Sequence, residues 1–150
     1  MPKLSLKEIT ILIPTYGRNK YLFRNLRFWD HFKTNIMILD GGKKSVDIKD
    51  FKNFKNKIKY IYKKNSFFEK RLYYASTLIK TPFCVIVADD EIHNPWTLIK
   101  SINFLKKHKD FGCCIGRCVG FKSEKKYLSL WPEKVVQSKH FVNQKNSLSR

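Results

Sequence analysis

The sequence predicts an α/β fold with a mostly parallel sheet. Apolar, β-branched runs alternate with segments whose apolar residues recur at helical spacing. Three of those runs, 9–13 (ITILI), 35–39 (NIMIL) and 83–88 (FCVIVA), are near-continuous, as in strands buried on both faces. The three runs lead directly into polar turns, PTY at 14–16, DGG at 40–42 and DDE at 89–91.

The elements follow in order. The run 9–13 is a strand stopped by Pro14, and 15–19 (TYGRN) is a turn. Leu22, Leu26 and Trp29 mark a helix over 21–32. A second strand at 35–39 is followed by a short basic helix within 45–56, then by an alternating strand at 58–62 (IKYIY). Ser66-Phe67-Phe68-Glu69 has capping-box form and opens a helix carrying Phe68, Leu72, Ala75 and Ile79 on one face. The strand at 83–88 comes next. Asn94 then caps a helix with Pro95 at its first position, running to about His108. Residues 111–121 (FGCCIGRCVGF) read as one or two strands broken at glycines, and the polar segment 137–150 has no clear period.

A chain of 150 residues with 43% hydrophobic content supports a single domain with a real core. The formal charge of +19 points to an anionic partner, although a lysine- and asparagine-rich coding bias gives the same composition. No signal peptide or membrane span is legible, because the apolar stretch at 9–13 is too short for either. The expected compartment is therefore cytoplasmic. Cys84, Cys113, Cys114 and Cys118 stand in apolar runs and are expected to be buried, reduced thiols; their spacing is not that of a zinc site.

In a doubly wound sheet, ligands bind beyond the carboxyl ends of the strands, so the three polar turns are expected at one edge. Asp89, Asp90 and Glu91 are three of only twelve acidic residues. Adjacent carboxylates repel one another, and a divalent cation relieves the repulsion. Oxygen ligands suit Mg²⁺ or Mn²⁺ bridged to substrate phosphates. The plainer alternative is a solvated strand end that favours the N-terminus of the following helix. His93, nearby, is expected to be a loop residue.

The motifs ITILIPTYGR, ILDGG, EKRLYYAS and VIVADDEIHNP, in that order, resemble the family 2-like inverting glycosyltransferases. The resemblance covers about residues 8–121. It implies a Rossmann-like GT-A core at 1–121 that binds a nucleotide sugar, followed by a short basic or polar segment at 122–150. By that resemblance, Pro14, Thr15 and Tyr16 cradle the nucleobase together with Arg18, Asp40 hydrogen-bonds the base, and Arg71 lies near the nucleotide. The acidic motif holds the ribose and the metal-bridged diphosphate, with Asp89 on the ribose side and Asp90 and Glu91 at the metal. A second alignment makes the motif D-x-E, with Asp89 and Glu91. The individual turns also have plain readings: a strand terminator at Pro14, a turn at 40–42, and an Arg71 that pairs with Glu69 or lies in solvent.

The implied reaction is transfer of a sugar from a nucleoside diphosphate donor to a surface-polysaccharide or lipid-linked acceptor, with inversion. Two features depart from the family pattern. Ala88 stands at the usual first aspartate, and only Asp110, Glu124 and Glu133 follow Glu91 as acids, so no catalytic base is assigned. The expectation is a truncated chain, or one completed by another protein, that binds nucleotide but transfers sugar poorly alone. The ten lysines between 43 and 70, against three acids, predict peripheral contact with an anionic membrane. A nucleotidyltransferase would need a better phosphate loop than TYGRN. A nucleic-acid-binding protein is permitted by charge and aromatics but carries no recognised motif, and no nucleic-acid partner is expected.

Overall fold

The computed structural model describes residues 5–116, 120–124 and 127–131. The chain divides into two compact units, residues 1–98 and 99–150. The first holds β1 (Ser5–Thr15), α1 (Asn19–Trp29), β2 (Lys33–Asp40), a 3₁₀ turn (Ile48–Phe51), β3 (Lys57–Tyr62), α2 (Phe68–Ser76) and β4 (Phe83–Ile86). The helix α3 (Pro95–Lys107) crosses the boundary, and β5 (Gly120–Glu124) and β6 (Tyr127–Trp131) form an antiparallel pair in the second unit.

The first unit is an α/β layer structure around a four-stranded, all-parallel sheet of order β3-β2-β1-β4, a Rossmann-like topology. From β1 the chain steps to β2 and β3 in one direction, then returns past β2 and β1 to β4 on the other side. Right-handed crossovers therefore put α1 and α2 on opposite faces. On the α2 face, Leu12, Met37, Leu39 and Ile61 pack with Ala75, Leu72, Leu78 and Ile79. The alternate positions Ile11, Ile13, Ile36 and Ile38 face the other way and are equally buried, as are Leu22, Leu26 and Trp29 of α1.

Several expectations need correction. Pro14 does not stop β1. It pairs with Leu39 of β2, beyond Leu12, the last residue of β1 in register with β4, where a missing N–H is tolerated. Within 45–56 only the 3₁₀ turn forms. The Asp47 side chain accepts from the Lys49 N–H at 2.9 Å, and Val46 and Phe51 are buried on either side of it. Ser66 does not cap α2. The N-cap is Phe67, with no side-chain cap bond, and the Ser66 hydroxyl instead meets the Phe67 carbonyl. Asn94 does cap α3, accepting from the Trp96 N–H at 2.9 Å.

Residues 111–116 form no strand, and 117–119, with Cys118, lie outside the described residues. Cys84, Cys113 and Cys114 are free thiols as expected, but they are exposed rather than buried. For Cys84 the reason is topological. Among the described residues β4 is an edge strand, and its positions 84 and 86 are exposed. No helix among the described residues is long and apolar enough to cross a membrane.

Candidate functional site

The direction of chain travel reverses between β1 and β4, so their carboxyl ends flank the switch point where open α/β sheets leave a crevice. Thr15 ends β1. Its buried hydroxyl donates to Asp89 Oδ2 at 2.7 Å, across that crevice. The next turn needs Gly17, whose φ of +66° is strained for any residue with a Cβ. The turn delivers Arg18, the residue before α1, to the acidic segment.

Arg18 meets both oxygens of Asp89, through Nε at 3.2 Å to Oδ2 and through a terminal nitrogen to Oδ1. Its other terminal nitrogen donates to Asp90 Oδ2 at 3.0 Å. A single guanidinium thus bridges two consecutive carboxylates. Hydrogen bonds to Asp89 and then Asp90 raise the Arg18 pKa and keep it charged. The bond from Arg18, ahead of the opposing effect of burial, holds the Asp90 carboxyl below its usual range. Asp89 is 1% exposed, whereas the Arg18 and Asp90 side chains are 46% and 44% exposed. The repulsion between neighbouring acids that the sequence shows is therefore relieved by an arginine at the mouth of the crevice.

Asn25 fixes the backbone beneath these acids, a role the sequence reading missed. Its amide donates to the carbonyls of Glu91 at 2.7 Å and Ala88 at 3.1 Å, and Arg24 reaches the Asp90 carbonyl at 3.2 Å. The signal was present in the sequence. Asn25 lies on the same helical stripe as Leu22, Leu26 and Trp29, where a polar residue must find a buried partner.

The second strand end is built differently. Asp40 is 1% exposed, with Oδ1 accepting from the Gly42 N–H at 2.7 Å and Oδ2 from the Tyr60 hydroxyl at 2.6 Å. Tyr60 in turn accepts from the Val46 N–H at 2.8 Å. Burial first, and then the bond to Asp40, push the Tyr60 pKa upward, so it remains a donor. Tyr60 was also missed, being one ring among several in an alternating strand. The Gly41 N–H donates to the Thr15 carbonyl at 3.1 Å, which joins the ends of β1 and β2.

Arg71 reaches this junction from α2 and is 5% exposed. It donates to the carbonyl of Thr15 at 2.9 Å and to that of Leu39. Its guanidinium lies so close to Gly41 that a Cβ there would sit 2.7 Å from Cζ. Burial lowers its pKa, while Asp40, Glu69 and Tyr16 oppose that shift. Arg71 Nε is buried without a hydrogen-bond partner, and no carboxylate among the described residues pairs with it. A positive charge is therefore held behind the carboxyl edge with part of its bonding capacity unspent.

The structure brings Pro14, Thr15, Tyr16, Arg18, Asp40, Arg71, Asp89, Asp90 and Glu91 to this one edge. Tyr16 is half exposed, with its hydroxyl 3.4 Å from Asn65 Oδ1. Glu91 Oε2 accepts from the Ala88 N–H at 3.3 Å and lies 3.7 Å from His93 Nε2. Among the described residues, no three His, Cys, Asp or Glu side chains form a metal-binding group. Asp90 and Glu91 are both exposed, a donor set that fits an ion shared with phosphate oxygens rather than one caged by protein. No family model matches the chain, and no curated protein matches it.

Proposed function

We propose that the first unit binds a nucleoside diphosphate sugar at the crevice between β1 and β4, as the donor site of a GT-A-type inverting glycosyltransferase. The observation carrying this reading is the gathering of Thr15, Arg18, Asp89 and Asp90 at the topological switch point of a parallel sheet. The exposed ring of Tyr16 offers a stacking face for the base beside the turn. Asp40 is enclosed by Gly42 and Tyr60, so a base bond to it requires that loop to shift. Arg71 raises the positive potential behind the phosphates.

Asp90 and Glu91 would hold Mg²⁺ or Mn²⁺. A bound ion of this kind offsets charge on a departing nucleoside diphosphate. The chain's own residues would orient the donor. The base that deprotonates a saccharide or lipid-linked acceptor is unassigned. The ten lysines between 43 and 70 are all exposed, and none pairs with a carboxylate among the described residues. That supports peripheral docking on an anionic membrane at the cytoplasmic side.

Calorimetric titration of UDP and GDP, with and without Mn²⁺, tests the reading. Binding of one nucleotide that strengthens with Mn²⁺, and loses that gain in Asp90→Ala, supports it. Absence of binding by a folded protein to either nucleotide, with metal present, overturns it.

A further inference from the structure

We propose that Arg18 is an internal counter-ion that keeps Asp90 from a free divalent cation, so that metal enters this site only together with a nucleoside diphosphate. This rests on the donor-site reading above and adds an order to it. The bridge by itself satisfies the acids. Asp89 has both oxygens engaged, by Thr15 and Arg18, and Asp90 has Oδ2 engaged by Arg18. A cation arriving alone must displace a guanidinium already paired twice and leave that charge beside its own. Among the described residues no three His, Cys, Asp or Glu side chains converge to hold it, so a lone ion gains little.

A nucleoside diphosphate changes that balance. Its phosphate oxygens form the same planar, bidentate pairing with a guanidinium that the carboxylates do. Arg18 is the movable member of the cluster. Its side chain is 46% exposed, and its guanidinium lies 5.3 Å from the Tyr21 ring centroid, so an aromatic face is already within reach of the charged head. The Asp89 side is fixed, because Asp89 is buried against Thr15 and its backbone is held through Asn25. When Arg18 turns to the phosphate, Asp90 is released to an ion that the same phosphates also ligate. Metal and nucleotide must then assist each other equally, since binding coupling is reciprocal.

The test measures Mn²⁺ affinity by electron paramagnetic resonance, which counts free ion and needs no turnover. It compares the wild-type protein, Arg18→Gln and Arg18→Lys, each with and without the nucleotide found to bind. Lys20→Gln, in the first turn of α1, controls for removal of a positive charge alone. The wild type is expected to bind Mn²⁺ at least about tenfold more tightly with nucleotide, a coupling of about 1.4 kcal/mol. Arg18→Gln is expected to bind Mn²⁺ alone about tenfold more tightly than wild type, with the nucleotide effect reduced. Arg18→Lys, which keeps the charge without the fork, should fall between them, and it carries the test if Arg18→Gln fails to fold. Lys20→Gln should match wild type. If nucleotide and Mn²⁺ bind together but the Arg18 variants show unchanged metal affinity, or Lys20→Gln tightens binding as much, the gate is wrong and the donor site stands. If no variant binds Mn²⁺ even with nucleotide, the donor-site reading fails and the gate falls with it.

Discussion

Two buried aspartates lie at the carboxyl ends of β2 and β4, the strands on either side of β1, yet they are satisfied in opposite ways. Asp40 is enclosed by neutral donors, the Gly42 N–H and the Tyr60 hydroxyl, with Arg71 behind the strand ends. Asp89 is held by one hydroxyl and by a guanidinium that faces solvent. The first arrangement is a closed structural cage. The second places its neutralising charge on a half-exposed side chain. Burial of the acid alone therefore does not distinguish the two arrangements. The exposure of the partner does.

The largest expected effect comes from opening the cage. Asp40→Ala leaves the Gly42 N–H without its buried acceptor and Tyr60 without the group it donates to. Each orphaned donor costs on the order of 1–3 kcal/mol, so a loss of roughly 3 kcal/mol is expected in chemical denaturation. A loss below about 1 kcal/mol would erase the contrast between the two sites.

Gly41→Ala comes next. Its new Cβ meets the Arg71 guanidinium 2.7 Å away, against a side chain already fixed by two carbonyls. Overpacking of this kind costs about 1–3 kcal/mol, read as a lowered melting temperature. Recovery of the loss in Gly41→Ala/Arg71→Lys would assign it to that contact, because a lysine lacks the planar head.

Asp89→Asn should cost less than Asp40→Ala, about 1 kcal/mol. Thr15 keeps an oxygen acceptor, and the half-exposed Arg18 can turn to water. If denaturation midpoints rank Asp89→Asn as the more damaging change, Arg18 is structural rather than exchangeable.

The smallest effect is on the acid limb of stability. Arg18 lowers the Asp90 pKa in the folded state, so its contribution is present above the unfolded value of about 4 and is lost as pH falls through the folded value. Asp90 is half exposed, which keeps the contribution small. Arg18→Gln should flatten the fall in melting temperature below about pH 4. An unchanged slope would mean that the bridge does not persist in solution.

The sequence by itself determined the strand and helix alternation and the parallel character of the main sheet. Near-continuous runs such as ITILI leave no polar face to expose, and crossover helices are then required. It also located the three strand ends that meet, because chain direction in a parallel sheet puts every such end on one edge. Tertiary structure decided what each acid does there. Nothing local to Asp40 announces Tyr60, twenty residues away, and nothing local to Asp89 announces Arg18, seventy-one residues away. It also decided the exposure of Cys84, whose apolar neighbours read as core while β4 lies at an edge. Local pattern records which groups must be satisfied or buried, but their partners come from strand order and crossover hand, which bring distant residues together.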